Sequence, residues 1–345
     1  MTRLRFATLN LQNLQLPHEA MHPRSKAYGA TEYDRKLAWL ADVLKRLDAD
    51  VIGMQELWSP RCMQQLLDKA GLTATHTLIV DGAPNAVGRE ITTALAVRKP
   101  CVALGHAFVS EFPPGFALRK RPQPKPAPDY EMAIEMARFS KPVLRCEVRP
   151  PQGDPILVFV AHLKSRLPME LDGEETLDGT IRPHQRAVGE VLATVRRTVE
   201  AGALRILVEQ ATLAGARPVV VMGDMNDSPG SRTHAILTGE PPLLPDDPVP
   251  SAHRGEAALY SPTSFLDPRG PAALRPTFMH FGRYEAFDQI FVSAHFHPHS
   301  RRRQWAFRGL RVLNDHLDER EGDDVQRIVS DHGIVAATFQ YAPAT

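Results

Sequence analysis

Six segments of the chain end in polar side chains that could support metal-dependent chemistry. Each group is flanked by an apolar run rich in β-branched residues, and such runs read as buried strands. Carboxylates, amides and imidazoles at strand ends are what a metal-dependent phosphoryl-transfer site requires. The polar residues are Asn10 and Asn13, Glu56, His162 with Lys164 and Ser165, Asp224 with Asn226 and Asp227, Asp288, and Asp331 with His332.

Glu56 follows the run Val51–Gln55 and is expected at the carboxyl end of a strand. Taken alone, a glutamate there is better explained as a rim carboxylate in a salt bridge. Asn10 also ends a strand and can offer a neutral carbonyl oxygen, and hard divalent cations prefer oxygen donors. Together the two side chains suit Mg²⁺, which keeps several of its water ligands.

The segment Gly223–Pro229 is the most specific local pattern. Asp224 and Asn226 follow a wholly apolar run, and the glycine before them allows the backbone to approach its neighbours closely. Asp224 can therefore accept a proton from an attacking water, while Asn226 orients that water or the phosphate. The pair Asp227 and Ser228, placed before a proline, suits instead the start of a helix.

His162 ends another apolar run, where a lone histidine is more often a hydrogen-bonded core residue than a catalyst. Lys164 and Arg166 beside it favour a phosphate site, because phosphate binds positive donors. Asp288 and His332 each lie near the start of a strand, and a carboxylate facing an imidazole fixes its tautomer. Such a pair could also serve a serine hydrolase, but the chain contains no Gly-x-Ser-x-Gly nucleophile elbow.

The composition is that of an ordinary globular protein: among 345 residues, 43% are hydrophobic and 23% are charged. A formal net charge of +1 argues against a nucleic-acid binder held by long-range attraction, although it allows a local basic groove. The three cysteines lack a Cys-x-x-Cys spacing, so neither a zinc site nor a disulfide framework is predicted. No apolar run reaches membrane-spanning length, and we expect a cytoplasmic protein.

Apolar periodicity predicts alternating strands and helices in the first third of the chain and mostly strands afterwards. Residues 112–130 are rich in proline and basic residues, so we expect a solvated loop, or a flap that touches an anionic substrate. Arg186, Arg196, Arg197 and Arg205 are expected on the solvated face of a long helix. The predicted strands cover 4–10, 50–56, 73–80, 92–98, 101–109, 141–148, 155–162, 218–223, 287–293 and 329–340, the predicted helices cover 33–47, 59–70 and a segment from Pro183, and 240–285 is a long connection.

In this order the motifs resemble those of the endonuclease/exonuclease/phosphatase superfamily, which has the DNase I-like fold. The resemblance implies an α/β fold, a four-layer sandwich in which two mixed β-sheets pack face to face with helices outside. No linker divides the chain, so we expect one domain over residues 1–345. The matching stretches are Thr8-Leu9-Asn10, Gln55-Glu56, Ala161-His162-Leu163-Lys164-Ser165, Gly223-Asp224-Met225-Asn226, Phe287-Asp288-Gln289-Ile290-Phe291 and Ser330-Asp331-His332.

The resemblance also implies a site that holds Mg²⁺ or Mn²⁺ and hydrolyses a phosphate ester. The Asn-x-Tyr-x-Pro segment of the abasic-site endonucleases has no counterpart here, since residues 137–142 read Ala-Arg-Phe-Ser-Lys-Pro. The implied roles are metal binding by Asn10, Glu56 and Asp331, water activation by Asp224 with Asn226, phosphate contact by His332 oriented by Asp288, charge stabilisation by His162, and further phosphate binding by Lys164 and by Arg138 or Arg145.

These inferences predict a metal-dependent phosphodiester hydrolase, with a nuclease acting on DNA or RNA as the first hypothesis. The alternative is a phosphodiesterase or phosphatase acting on a small phosphate ester or a phospholipid head group. For the phospholipid case, Phe112–Phe116 is a weak candidate for a membrane-contacting hairpin. A non-catalytic binding protein of the same fold would have lost site residues, whereas all those expected are present. The sequence leaves open whether the chain has protein partners.

Overall fold

Two six-stranded mixed β-sheets pack face to face in the computed structural model of the chain, and helices cover their outer faces. This four-layer α/β sandwich confirms the predicted fold class. The structure describes residues 2–22, 25–83, 85–116, 118–119, 133–170, 183–213, 217–241, 258–266, 276–280, 282–318 and 327–343.

The first sheet has the strand order β15-β16-β1-β2-β4-β3 and the second has the order β11-β14-β10-β9-β8-β5, while β6-β7 and β12-β13 form two short ribbons. The strands are β1 Arg3–Leu14, β2 Val51–Leu57, β3 His76–Ile79, β4 Thr92–Arg98, β5 Val102–Glu111, β6 Leu118–Arg119, β7 Ala133–Ile134, β8 Arg138–Arg149, β9 Ile156–His162, β10 Val219–Asp224, β11 Leu259–Tyr260, β12 Phe278–His280, β13 Arg283–Glu285, β14 Asp288–Ser293, β15 Trp305–Leu313 and β16 Ile334–Tyr341. The helices are α1 Ala30–Leu47, α2 Pro60–Ala70, α3 Pro183–Leu213 and α4 Arg232–Thr238, with short 3-10 turns at Pro262–Phe265 and Ala294–Phe296.

Each sheet contains one parallel pair in its interior. Strands β1 and β2 are parallel and joined through α1, and strands β9 and β10 are parallel and joined through α3. The carboxyl ends of parallel strands lie at the same edge of a sheet. Strand β16 is antiparallel to β1, and β14 is antiparallel to β10, so both begin at that edge. Three chain segments of each sheet therefore bring their polar ends together.

The interface between the two sheets changes from apolar to polar along its length. Alternate residues of a strand share a face, so every second residue of these strands packs in the interface between the two sheets. Along each strand these interface residues begin apolar, and the last one is polar. The series are Leu4-Phe6-Thr8-Asn10 on β1, Ile156-Val158-Val160-His162 on β9, Val220-Met222-Asp224 on β10 and Val292-Ile290-Asp288 on β14.

Helices α1 and α2 pack on the first sheet, and α3 and α4 pack on the second. The apolar side chains of α1 recur at helical spacing, with Leu37, Leu40 and Leu44 buried against the sheet. Glu32 accepts a hydrogen bond from the backbone N–H of Gly29 and so caps the first turn of this helix. None of the helices in the described part of the chain is long and apolar enough to cross a membrane.

Most predicted elements are present with shifted ends, but three details were wrong. The segment predicted as a strand over 329–340 begins its strand only at Ile334. The strand β15 was not predicted at all. The helix after Asp224 starts later than expected, because its N-cap is Ser231, whose Oγ accepts from the backbone N–H of His234.

The arginines of α3 are also less solvated than predicted. Arg197 and Arg205 are only 4% and 9% exposed. Arg197 donates to Asp227, and Arg205 donates to the backbone carbonyl of Thr238, so residues distant in sequence cover both guanidinium groups. Most of the predicted basic loop and most of the long connection lie outside the described residues.

Candidate functional site

The polar ends of the two sheets meet in one cluster. The first sheet contributes groups from β1, from β2 and from the turn before β16, and the second contributes groups from β9, β10 and β14. The cluster joins segments that are far apart in the sequence, as the motif order predicted. The distances that define it are Asn10 Nδ2 to Glu56 Oε1 3.0 Å, Asn10 Nδ2 to Asp224 Oδ2 3.1 Å, His162 Nε2 to Asp224 Oδ2 3.4 Å, His332 Nε2 to Asp224 Oδ2 3.8 Å and His332 Nδ1 to Asp288 Oδ2 2.8 Å.

A β-bulge directs Glu56 into the cluster. The pairing of β2 with β4 shifts register between Met54 and Leu57, and Glu56 has a φ of 60°, which is unfavourable for a residue with a side chain. Its Oε2 accepts from the backbone N–H of Asn13, which is itself at φ 53°. Backbone strain of this kind persists only where surrounding contacts enforce it. At the end of β2, the direction of the Glu56 side chain is therefore maintained at the expense of regular pairing with β4.

Asn10 links the two sheets at the centre of the cluster. Its Nδ2 donates to the carboxylates of Glu56 and Asp224, and its Oδ1 accepts from the backbone N–H of Gln12. Its backbone carbonyl accepts from the Oγ of Ser330. In this arrangement the amide nitrogen faces the carboxylates, so metal binding through Oδ1 requires the amide to rotate.

Asp224 is almost completely buried and is held by Asn226. The backbone N–H of Asn226 donates to Oδ1 of Asp224 at 2.8 Å, and its Nδ2 approaches Oδ2 at 3.2 Å. The same Nδ2 donates to the backbone carbonyl of Leu163. Burial raises the pKa of Asp224, an effect that the positive charge of His332 opposes. The pKa of this carboxyl group is thereby raised towards the range in which a general base works near neutral pH.

His162 faces Glu56 and Asp224 through its Nε2. Burial lowers its pKa well below the ordinary value, and the nearby charges of Lys141, His332 and Lys164 lower it further. The imidazole is therefore neutral at physiological pH and can donate or accept through one nitrogen without carrying charge.

Asp288 and His332 form the closest pair in the cluster. Burial opposes a charge on His332, yet the carboxylates of Asp288 and Asp224 hold its pKa well above the ordinary value. Burial also raises the pKa of Asp288. Both directions mean that the pair retains its proton at neutral pH. Thr277 supports the pair, because its Oγ accepts from the backbone N–H of Asp288.

Two groups of side chains in the described residues could hold a metal ion. In each group one ligand atom from every residue lies within 4.8 Å of the others. The first group is Glu56, His162 and Asp224, and the second is Asp224, Asp288 and His332. Burial raises the pKa of Glu56, and the nearby charge of Asp331 raises it further. A divalent cation would relieve this concentration of acidic groups, so the oxygen donors around Glu56 fit such an ion.

Asp331, the third predicted metal ligand, belongs to neither group but acts on both electrostatically, as its effects on Glu56 and Asp288 show. The segment that carries it is fixed from two sides. Lys36 of α1 is completely buried and its Nζ donates to the carbonyls of Arg327 and Val329. On the other side, Ser330 contacts β1.

Lys141 is a site residue that the sequence did not reveal. It is partly buried, and its Nζ donates to the carbonyl of Leu163 at 3.3 Å. Burial lowers its pKa, while the charges of Glu200, Glu56 and Asp224 raise it. Lys164 lies beside it and donates through Nζ to Ser165.

Arg145 is not brought into the cluster, and no contact joins Arg138 to it among the described residues. Both are exposed. Leu144 and Cys146 face the first sheet, so Arg145 between them faces the opposite side of its own sheet. This alternation was visible in the sequence and could have excluded Arg145. The position of Lys141, directly before a proline at the start of the strand, gave no comparable signal.

Arg166 is engaged in structural contacts rather than open to an anion. Its guanidinium group forms ion pairs with Asp227 and Glu285 and lies 4.6 Å from the centre of the Phe287 ring. Asp227 therefore joins the loops around the site, and it is not the helix cap that the sequence predicted.

Phe112 does not form an exposed membrane-contacting tip. It is 8% exposed and packs edge-on against Phe116 and Phe139 in the core beneath α3. The predicted apolar hairpin is therefore wrong at this residue.

The comparisons with known proteins agree with the fold of the chain. The family model of the Endonuclease/Exonuclease/phosphatase family matches residues 7–332. No curated protein matches the chain with significance.

Several solved structures share the fold at low identity. The chain is similar to D. rerio TDP2 complexed with single strand DNA product, with 15% identity, a TM-score of 0.53, and coverage of 99% of this chain and 100% of that one. It is similar to the human Nocturnin catalytic domain with bound sulfate anion, with 15% identity, a TM-score of 0.55, and coverage of 99% and 95%. It is also similar to an endonuclease/exonuclease/phosphatase from Bacteroides vulgatus, with 15% identity, a TM-score of 0.53, and coverage of 99% and 100%.

Proposed function

The chain belongs to the Endonuclease/Exonuclease/phosphatase family and is a phosphoric ester hydrolase, and from that premise we propose a divalent-metal-dependent phosphodiester hydrolase that acts on nucleic acid. One observation carries the proposal: carboxylates, imidazoles and an amide from six chain segments converge at one end of the two sheets. This combination can bind a cation, activate a water molecule and donate to a phosphate.

The proposed work of the second sheet, together with His332 from the turn before β16, is proton transfer and contact with the phosphate. Asp224 accepts the proton of the attacking water, because burial raises its pKa towards neutrality while Asn226 fixes its orientation. His162, neutral and facing Asp224, donates to a phosphate oxygen as negative charge develops there. Asp288 keeps His332 protonated and oriented, so that its Nε2 can contact the phosphate.

The proposed work of the first sheet is to hold the cation. Glu56 is the principal ligand, with Asn10 after rotation of its amide and with Asp331 nearby. When bound, Mg²⁺ or Mn²⁺ would neutralise charge that develops on the phosphate oxygens. Lys141 and Lys164 supply positive charge on the other side of the cluster and attract the substrate phosphate.

Two further points support nucleic acid as the substrate. Lysine side chains lie beside the acidic cluster although the net charge of the chain is only +1, which is the local basic character that a phosphate backbone requires. A structure of similar fold, D. rerio TDP2, is recorded with a single strand DNA product. The phospholipid alternative loses Phe112 from its candidate segment Phe112–Phe116, because this residue is buried.

A substrate panel tests this proposal. Purified protein is incubated with Mg²⁺ or Mn²⁺, and with EDTA as the control, against single-stranded DNA, supercoiled plasmid, an abasic oligonucleotide, RNA, sphingomyelin, inositol phosphates and bis(p-nitrophenyl) phosphate. We expect metal-dependent cleavage of at least one nucleic acid, and none by a His332→Gln variant purified in parallel. Cleavage restricted to the generic diester, to a lipid or to an inositol phosphate would contradict a nuclease, and EDTA-resistant cleavage would contradict metal dependence.

Metal binding can be measured without turnover. A ligand that binds only the folded state stabilises it by about 2.7 kcal/mol at one hundred times its dissociation constant. We expect Mn²⁺ to raise the melting temperature of the wild type and not that of Glu56→Gln. Equal stabilisation of the two proteins would remove Glu56 from the metal site.

We also propose that residues 1–345 form one domain. The pairing of β1 near the start of the chain with β16 near its end supports this organisation.

A further inference from the structure

Helix α3 carries three Arg–Glu pairs with the same spacing but with different surroundings. The pairs Arg186–Glu190, Arg196–Glu200 and Arg205–Glu209 are each four residues apart and connected by an ion pair. The glutamate side chains of the first and third pairs are 52% and 41% exposed, whereas that of Glu200 is 1% exposed. Exposed pairs of this kind contribute little to stability, so an ion pair with Arg196 does not by itself explain why Glu200 is buried.

The carboxylate of Glu200 connects the helix to strand β8 and to the segment that follows β9. Its Oε1 accepts from the backbone N–H of Ser140 at 2.7 Å, and its Oε2 accepts from the backbone N–H of Lys164 at 2.8 Å. Arg196 donates to the same Oε1 at 3.2 Å. Charge-assisted bonds of this type are roughly twice as strong as neutral ones, which offsets the cost of burying the charge.

Both backbone contacts fall beside the lysines of the site. Ser140 immediately precedes Lys141, and the second contact is made by Lys164 itself. The two lysine side chains are held by neighbouring oxygens, since Lys141 donates to Leu163 and Lys164 donates to the loop that follows it. The buried carboxylate of Glu200 therefore fixes the start of β8 relative to the end of β9. It also places a negative charge beside the positive charges of Lys141 and Lys164.

We infer that Glu200 is a positioning residue that holds Lys141 and Lys164 where they bind the substrate phosphate, and so determines how tightly the site binds phosphate. The inference rests on the proposed function, because it assigns the two lysines to the phosphate of that same reaction. It predicts an effect on affinity rather than on the chemical step, since Glu200 is separated from the reacting atoms by the lysines.

The test compares Glu200→Gln with Glu209→Gln and Glu190→Gln in the full chain. All three remove one charge from the same helix, and only the first replaces a carboxylate oxygen that accepts from the backbone beside the site lysines. We expect Glu200→Gln to raise KM and the inhibition constant of inorganic phosphate about tenfold with kcat within about twofold, because one charge-assisted hydrogen bond is lost. The two control variants should resemble the wild type. Values for Glu200→Gln that match the controls would overturn the inference.

A double-mutant cycle separates positioning from general destabilisation. In a Lys141→Met background, Glu200→Gln should weaken phosphate binding by less than tenfold, because one of the two lysines that it positions is already absent. Fully additive effects would show that Glu200 does not act through Lys141 and would contradict the inference at that lysine. If Glu200→Gln does not fold, Glu200→Asp keeps the charge but shortens the reach; phosphate binding equal to that of wild type would then overturn the inference, and weaker binding would support it.

The stabilisation of the protein by inorganic phosphate provides a readout that does not need turnover. If the wild type hydrolyses no diester, the proposed function fails. Phosphate would then still protect the wild type against thermal unfolding more strongly than it protects Glu200→Gln if the inference is right, and equally if it is wrong.

Discussion

The interface between the two sheets has two ends with opposite chemistry. At one end Phe6, Phe296, Phe339 and Trp305 contact one another, with the rings of Phe296 and Phe339 centred 4.9 Å apart. At the other end lie carboxylates and imidazoles whose atoms are 2.8 to 3.8 Å apart. The two ends are continuous along β1, yet one is built from contacts that stabilise the fold and the other from groups that are costly to bury.

This difference indicates that the polar end serves activity and that the apolar end provides stability. Burial raises the pKa of Glu56, Asp224 and Asp288, so at neutral pH the charged forms of these groups are less favourable in the folded chain than in the unfolded one. Such groups reduce stability, and the aromatic end compensates for them. Substitutions at the two ends should therefore separate activity from stability.

The largest effect is expected at the polar end, from Asp224→Asn. An amide cannot accept the proton of the attacking water, and general base catalysis contributes about 10³-fold in typical enzymes. We expect kcat for a diester substrate to fall by about 10³-fold, with the free energy of unfolding equal to or higher than that of the wild type, as measured by urea denaturation. A variant that keeps its turnover within about tenfold, or that unfolds much more easily, would break the division between the two ends.

The opposite result is expected at the apolar end, from Phe296→Ala. This side chain is completely buried, and truncation of a buried phenylalanine costs about 3–5 kcal/mol. We expect the free energy of unfolding to fall by that amount and kcat, measured where the variant is folded, to remain unchanged. Val102→Ala on the edge strand β5, where the side chain is 50% exposed, is the control and should change the free energy of unfolding by less than about 0.5 kcal/mol. A large loss of kcat in the folded Phe296 variant would mean that the two ends are coupled.

Gly223 lies between the two ends of the interface, and its substitution should reduce both stability and turnover. It has a φ of 145°, and a Cβ there would lie 1.8 Å from the backbone oxygen of Ala161. Gly223→Ala should therefore force β9 and β10 apart, with a loss of about 3 kcal/mol in stability and reduced turnover, because Asp224 is the next residue. Gly105→Ala, where a Cβ would meet nothing within 4 Å, is the matched control in the same sheet. A stable but inactive Gly223→Ala would show that the strand pairing is less important than the side-chain position.

The strands of the interface could be predicted because their signal is local. Apolar runs such as those of β9 and β10 mark buried strands, and the polar residue at the end of each run marks the edge where strands meet. Strand β15 could not be found in this way. It pairs only with β16, carries the exposed Arg308 and contains a register shift between Phe307 and Gly309, so its alternation is broken.

The members of the cluster could be predicted by residue type, but their supporting contacts could not. Glu200 and Lys36 reach the site from helices, and their partners are carbonyl or N–H groups of loops far away in sequence. No local pattern distinguishes Glu200 from Glu190 or Glu209, since all three follow an arginine by four residues. The fold alone decides which of them is buried.

The smallest effect is expected from Arg145→Met, and it sharpens the comparison between two positions on β8. Arg145 is exposed on the face directed away from the first sheet, so its replacement should change the free energy of unfolding by less than about 0.5 kcal/mol and KM by less than about twofold. Lys141→Met, on the same strand, should raise KM about tenfold, because a charged donor to the phosphate is lost. Measuring KM for both variants on one substrate compares the position of Lys141 directly with that of Arg145. If Arg145→Met weakens substrate binding and Lys141→Met does not, the substrate lies on the outer face of the sheet, and the cluster at the polar end of the interface is not the place where phosphate binds.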